Sequence, residues 1–174
     1  EISCSRVAPA AIYVNMADIK APPRPAELDE EALRRGMELL FYAYRDFTAE
    51  PDEMLTSYGF GRAHHRVIYF VGRNPRITVS ELLGILRITK QSLSRVLGQL
   101  VREGFIVQHP GPRDRRQRLL ELTPTGVEME RMLSEPQRRR IAAAYQAAGP
   151  EAVEGYLTVM IGIMNADQRR RIKL

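Results

Sequence analysis

The side chains best suited to chemistry in this chain fall between residues 89 and 116. The chemistry they suit is hydrogen bonding to a polyanion, not bond breaking. Thr89, Lys90, Gln91, Ser92, Ser94 and Arg95 crowd the start of one helical pattern. In the major groove of DNA, Arg can place a two-pronged hydrogen bond on guanine and Gln on adenine. Further along, Arg113-Asp114-Arg115-Arg116 separates two strand-like runs. Three arginines on one tip repel each other, and a purely structural hairpin has little use for that. Asp114 can hold Arg116, two residues on, and aim its guanidinium. An aimed Arg suits a narrow minor groove, whose potential attracts positive charge. Each feature also has a plainer reading. The helix face can be a solvated surface, and the tip can be a solubilising loop.

No constellation for catalysis stands beside these residues. Gly59-Phe60-Gly61 lacks the third glycine and the preceding strand of a dinucleotide loop. No Ser, His and Asp set has a spacing that argues for a triad. His64 and His65 are adjacent, so on a helix they point about 100° apart and cannot chelate one ion together. Other metal ligands would have to come from distant segments, and Cys4 and His109 are both remote. No enzyme, cofactor or metal is therefore expected, and His64 and His65 read as core or junction residues.

The elements that must position the polar residues are legible in the pattern. Thr78 and Glu81 form a capping box. Val79, Leu82, Leu83 and Leu86 then recur at helical spacing. Arg87 and Ile88 make the break, and Thr89 can cap a second helix. That helix carries Leu93, Val96, Leu97, Leu100 and Val101 on one face. Gln91, Ser94, Arg95, Gly98 and Arg102 fall on the other. In helix-turn-helix proteins the base readers cluster at the N-terminal part of the second helix. Gly104 closes the helix, Phe105 to His109 alternates as a strand, Pro110-Gly111-Pro112 turns, and Gln117 to Leu122 returns. Arg76-Ile77 can add a short third strand.

Together these residues resemble the winged-helix domain of the MarR family of bacterial transcriptional regulators. The resemblance rests on Ile88-Thr89-Lys90-Gln91-Ser92-Leu93-Ser94-Arg95, on Leu100-Val101-Arg102-Glu103-Gly104, and on Asp114-Arg115-Arg116 followed by Leu122-Thr123-Pro124-Thr125-Gly126. It extends upstream through Gly61 to Val67 and covers roughly residues 30–170. The resemblance implies that Asp114 and Arg116 are the wing pair and that Arg116 enters the minor groove. It implies repression of a nearby gene, relieved by a small aromatic or anionic effector where the stalk meets the winged domain. Tyr44, Phe47, His65 and Arg66 are the candidate lining residues there. Family members that sense oxidants use a cysteine in the first helix; this chain has Tyr42 and Tyr44 there but no Cys, so that activity is not carried over.

The flanking segments read as the support. Pro22, Pro23 and Pro25 exclude a helix in residues 1–28, which read as an arm. Met16 is a plausible native start, which would make residues 1–15 an extension. Asp29 to Phe47 is a strong helix, and Leu33, Met37, Leu40, Tyr44 and Phe47 form its stripe. Leu39, Phe41 and Tyr42 widen that stripe, which suits either a subunit interface or a buried core helix. Glu50-Pro51 is expected to break it, with another turn or two over Asp52 to Ser57. Gly61 to Val71 is the next helix. Thr123-Pro124 opens a long helix, with a kink or stagger expected at Pro136 and a break at Gly149-Pro150. A last helix is expected from Glu151 to about Arg170. By resemblance, the long helices of two chains form a dimer stalk.

Composition agrees with this reading without specifying it. The 174 residues suffice for a real core. A net charge of +5 favours an anionic partner but does not name one. Lys occurs only at 20, 90 and 173, so nearly all the positive charge is Arg, the better residue for phosphate forks. One cysteine allows no internal disulfide, which fits a reducing cytoplasm. No apolar run reaches the ~18 residues of a membrane span. The expected fold is mainly α with a small antiparallel β-wing, a winged helix-turn-helix plus a long-helix dimerisation stalk. Residues 59–123 form the DNA-binding domain, and 29–58 with 124–174 the dimerisation region. The expected partners are double-stranded DNA and a second copy of the chain. The alternative is a winged helix used only for protein interaction, without specific DNA binding.

Overall fold

The computed structural model describes residues 29–112 and 114–170. The arm over 1–28, the start at Met16, Cys4 and Arg113 all lie outside the described residues. The chain divides into two units, Glu1–Phe41 and Tyr42–Leu174. Within the described residues, the first unit is the opening half of one long helix.

Capping fixes the helix pair that the sequence singled out. The Thr78 hydroxyl accepts the Glu81 N–H at 3.2 Å, and the Glu81 carboxylate accepts the Thr78 N–H at 2.8 Å. This starts helix α3, Val79–Leu86, the third helix after α1 (Glu30–Thr56) and α2 (Arg62–Arg73). Arg87 stops α3 in the left-handed region, φ 50° and ψ 41°. Thr89 then caps α4, Lys90–Arg102, by accepting the Ser92 N–H at 3.1 Å. The apolar face of α4 goes inward as its spacing requires. Leu93, Val96, Leu97 and Leu100 are buried with Val67, Ile68 and Val71 of α2 and Leu82 of α3. At about 25 cal/mol per Å² of apolar surface removed from water, this shared core is what holds the short α3 in place.

The sheet closes the unit. Strand β1, Ile77–Thr78, pairs antiparallel with β3, Arg118–Leu122, which pairs antiparallel with β2, Ile106–Pro110. The order is β1-β3-β2. The register sets Ile106 opposite Leu122 and Pro110 opposite Arg118, so the arginine tip is the hairpin end. Ile106 and Leu120 point into the core.

The corner from β3 into helix α5, Pro124–Ala148, is unusually close. The Thr123 hydroxyl donates to the Gly104 carbonyl at 2.6 Å and accepts the Gly126 N–H at 3.1 Å. A Cβ on Gly126 would lie 2.0 Å from the Phe105 carbonyl oxygen. Only glycine lets helix and strand backbones approach this way.

Two boundaries differ from the pattern reading. Pro51 does not break α1, which continues to Thr56 with Pro51 buried inside it. A proline there cannot donate to the carbonyl four residues earlier, which is that of Phe47. The Gln137 side-chain amide of α5 takes that carbonyl at 3.2 Å instead, so the lost bond is replaced from outside. Pro136 lies inside α5, which continues past it to Ala148. The final helix is split. Helix α6 is Pro150–Ile163 and a short α7 is Ala166–Arg169. Met164 and Asn165 between them are extended, and Asn is at ease outside a helix because its side chain competes for backbone bonds.

The stripe on α1 is open to solvent in the chain as it stands. Leu33, Met37, Leu39 and Phe41 are 55 to 72% exposed. In the second unit, α6 buries none of its residues, and Val159 and Ile163 are each 61% exposed. No described helix is long and apolar enough to cross a membrane.

Candidate nucleic-acid interface

Helix α4 presents its first two turns outward. Lys90, Gln91, Ser92, Ser94 and Arg95 are all exposed, as is Thr89 before them. The six are not equivalent. Thr89 is committed to the cap, and its hydroxyl also lies 2.9 Å from the Ser92 hydroxyl. Lys90, Gln91, Ser94 and Arg95 carry no side-chain hydrogen bond or ion pair among the described residues. Their donors and acceptors are available, and no acid in the first turn neutralises them. Arg102, at the far end of α4, donates to the Gly98 carbonyl.

The wing tip is built by local bonds. Gly111 N–H donates to the Gln117 carbonyl at 3.1 Å, and Gln117 N–H to the Asp114 carbonyl at 3.0 Å. A Cβ at Gly111 would meet the Asp114 carbonyl oxygen at 2.7 Å, so the turn is tight. Asp114 acts differently from the sequence reading. Its carboxylate does not hold the Arg116 guanidinium; it accepts the Arg116 backbone N–H at 2.8 Å. Asp114 therefore shapes the turn and leaves the Arg116 side chain exposed. Arg118, which pattern reading did not single out, donates to the Arg115 carbonyl at 3.0 Å and braces the tip from the strand. A guanidinium three residues beyond a turn has no distinctive sequence signature.

Tyr44, Phe47, His65 and Arg66 line one cavity of about 670 Å³ among α1, α2 and α5. Arg66 donates to the Tyr44 hydroxyl at 2.7 Å. His65 is buried, 9% exposed, and burial pushes its pKa below the ordinary imidazole value. Asp52 and Glu130 pull the other way, and Arg66 adds to the lowering. His64 points elsewhere. Its Nδ1 accepts the Gly61 N–H, its Nε2 lies 3.0 Å from the Gln99 amide oxygen, and its ring stacks on Phe60 at 4.6 Å. It ties α2 to α4 as a structural residue. Asp52 and Gln137 also line the cavity, and the sequence offered no sign of either. Asp52 follows the expected break at Glu50-Pro51 in a short helical stretch with no site pattern, and the partner of Gln137 is 90 residues away. Arg62 bonds Asp52 through Nε at 2.6 Å, which raises the guanidinium pKa further.

The sequence model of the MarR family matches residues 58–117, the span from before α2 to the wing tip. The chain is 47% identical over 161 residues to the HTH-type transcriptional regulator PetP of Rhodobacter capsulatus, covering 91% of this chain and 97% of that protein. Among solved structures it resembles Streptococcus pneumoniae FabT in complex with DNA. The TM-score is 0.67 at 19% identity, over 75% of this chain and 94% of FabT. It also resembles the S. aureus MepR–DNA complex, with a TM-score of 0.53 at 15% identity, over 79% of this chain and all of MepR. At such identities the structural likeness speaks to the fold. That fold is a winged helix flanked by long helices, and the PetP match extends well beyond the winged helix, to 91% of this chain. The chain belongs to the MarR family of winged helix-turn-helix, DNA-binding transcriptional regulators.

Proposed function

We propose that the protein is a cytoplasmic, homodimeric repressor that reads an inverted-repeat operator and is released from it by a small ligand. The observation that carries this is the exposed N-terminal face of α4, whose Gln91, Ser94 and Arg95 have no partner among the described residues, in the same unit as the arginine wing. Side chains that neither pack nor pair inside the protein are free to read bases. Arg95 and Gln91 are the base readers in this reading, Lys90 and Arg115 meet phosphates, and Arg116 enters the minor groove. Ser92 and Thr89 set the helix start against the backbone, and Arg113 adds charge at the tip. The FabT and MepR structures, both determined with DNA, support the same use of the fold.

A second copy of the chain accounts for the apolar surface. The α1 stripe and α6 expose more large apolar side chains than a lone chain needs to leave in water. In our reading, residues 29–58 and 124–174 dimerise and 59–123 bind DNA. Two copies of α4 should then lie about one turn of DNA apart, roughly 34–36 Å or a multiple of it. A ligand in the cavity must favour one spacing of the two copies over another, since equal affinity for both shifts nothing. The test is a footprint of the full chain on the promoter next to its own gene. Protection of two symmetric half-sites supports the reading; a single unsymmetrical half-site, or none, opposes it.

A further inference from the structure

Arg87 stands where α3 hands over to α4, and arginine is a costly residue for that place. Its backbone is left-handed, φ 50° and ψ 41°, a conformation that glycine or asparagine adopts with less strain at the end of a helix. The Arg87 guanidinium donates to the carboxylate of Asp167, 80 residues on. The two side chains are 53% and 46% exposed, and an ion pair formed in water gains little. The pair does little to offset the strain, so stability does not account for the arginine.

Asp167 is held where it can make this bond. It lies in α7, and Arg169 ties α7 to the end of α6 by donating to the Gly162 carbonyl at 2.8 Å and the Met164 carbonyl at 2.9 Å. The Gln168 side-chain amide donates to the Asp167 carboxylate at 3.3 Å. The sequence around it is basic: Asp167 is the single acid after Glu154, and Arg169, Arg170 and Arg171 follow it. Of the cations at the turn and in the first two turns of α4, Arg87 is neutralised, whereas Lys90 and Arg95 have no partner among the described residues.

A carboxylate and a DNA phosphate offer a guanidinium the same two-pronged acceptor. In a helix-turn-helix the first helix crosses the DNA backbone and the second enters the groove. Arg87 lies between the two, two residues before the Thr89 cap, which sets its side chain beside the phosphates that flank the base-reading face. We infer that Arg87 is a DNA-backbone contact that Asp167 occupies in the free protein, so that the C-terminal segment competes with DNA for the turn. The inference rests on the DNA-reading role of α4 proposed above. It adds a contact outside the α4 face and the wing, and an acid that opposes it.

The test is a double-mutant cycle on the full chain, with affinity measured for a duplex carrying the promoter next to its own gene. Asn is at ease in the left-handed region, so Arg87→Asn removes the charge without straining the turn. That variant should match or exceed the parent in denaturant midpoint, bind the duplex more weakly, and lose about 1 from the salt slope per chain bound. Asp167→Asn should tighten binding about two- to fivefold per chain. In the Arg87→Asn background the same Asp167 change should bring no gain, since no arginine remains to be released. An equal gain in both backgrounds would overturn the inference, because Asp167 would then act by general repulsion of DNA. So would weaker binding by Asp167→Asn, an unchanged salt slope in Arg87→Asn, or a lower midpoint in that variant. The two readings fail separately. A parent that binds neither this duplex nor random DNA sinks the DNA-reading role itself; a parent that binds, with additive substitutions, sinks only the competition.

Discussion

Arg95 and Arg116 are both exposed arginines, yet they should fail in different ways when removed. Arg95 projects from the first two turns of α4, where a fork can meet a base edge. Arg95→Ala should cost ~1–3 kcal/mol at one base pair per half-site and relax the preference there. Competition binding across single-base operator variants would show it; equal weakening on every sequence would reassign Arg95 to phosphate. Arg116 projects from a turn whose shape Asp114 maintains through the backbone. Arg116→Ala should weaken binding to all sequences while leaving stability within about 0.5 kcal/mol. Unchanged DNA affinity would remove the wing from the account. His65 sets a pH limit on the fold. Its folded pKa lies below the unfolded value of about 6.5, so the unfolded chain binds the proton more readily. The stability it contributes is complete above that value and is lost as the pH falls below it toward the folded pKa. Denaturation of His65→Leu between pH 5 and about 7.5 should show a shallower acid decline than the parent. An identical decline would mean that other groups carry it.

At the scale of elements, bonds that cross between segments matter more than helix propensity. Gly126 is the clearest case. Gly126→Ala puts a methyl 2.0 Å from the Phe105 carbonyl oxygen, and backbone on both sides cannot yield cheaply. Destabilisation of about 1–3 kcal/mol or more is expected from overpacking of this kind, read as a lower denaturant midpoint. A neutral result would mean that the corner can open without cost. The same scale shows what the sequence could reveal. The caps at Thr78, Thr89 and Thr123 were legible, because each is a local bond between residues three apart. So were the core face of α4 and the partner of β1 in the wing. The passage of α1 through Pro51 was not, since its rescue comes from Gln137 on another helix. The backbone role of Asp114 was hidden for a different reason. A carboxylate two residues before an arginine can bond either its side chain or its N–H, and spacing does not choose. The cavity was partly legible. Tyr44, Phe47, His65 and Arg66 stand out by type, whereas Asp52 and Gln137 acquire meaning only when three helices meet.

At the scale of the whole molecule, the account requires a pair. One α4 offers a few base contacts, and a mismatch at each costs only ~1–3 kcal/mol. Two copies held at fixed spacing multiply that discrimination. In this account the apolar side chains that α1 and α6 expose in the single chain would form such an interface. Sedimentation at micromolar concentration should therefore give a dimer, and Met37→Glu, at a position 72% exposed in the single chain, should shift it toward monomer. The most direct measurement of the central claim is a selection of bound sites from random duplex DNA with the full chain, with the stoichiometry of the best site determined afterwards. The account predicts a two-fold-symmetric motif, occupied by two chains, whose half-site centres lie about 10–10.5 base pairs or a multiple of that apart. Recovery of an unsymmetrical motif bound by one chain, or no enrichment over the starting pool, would contradict it.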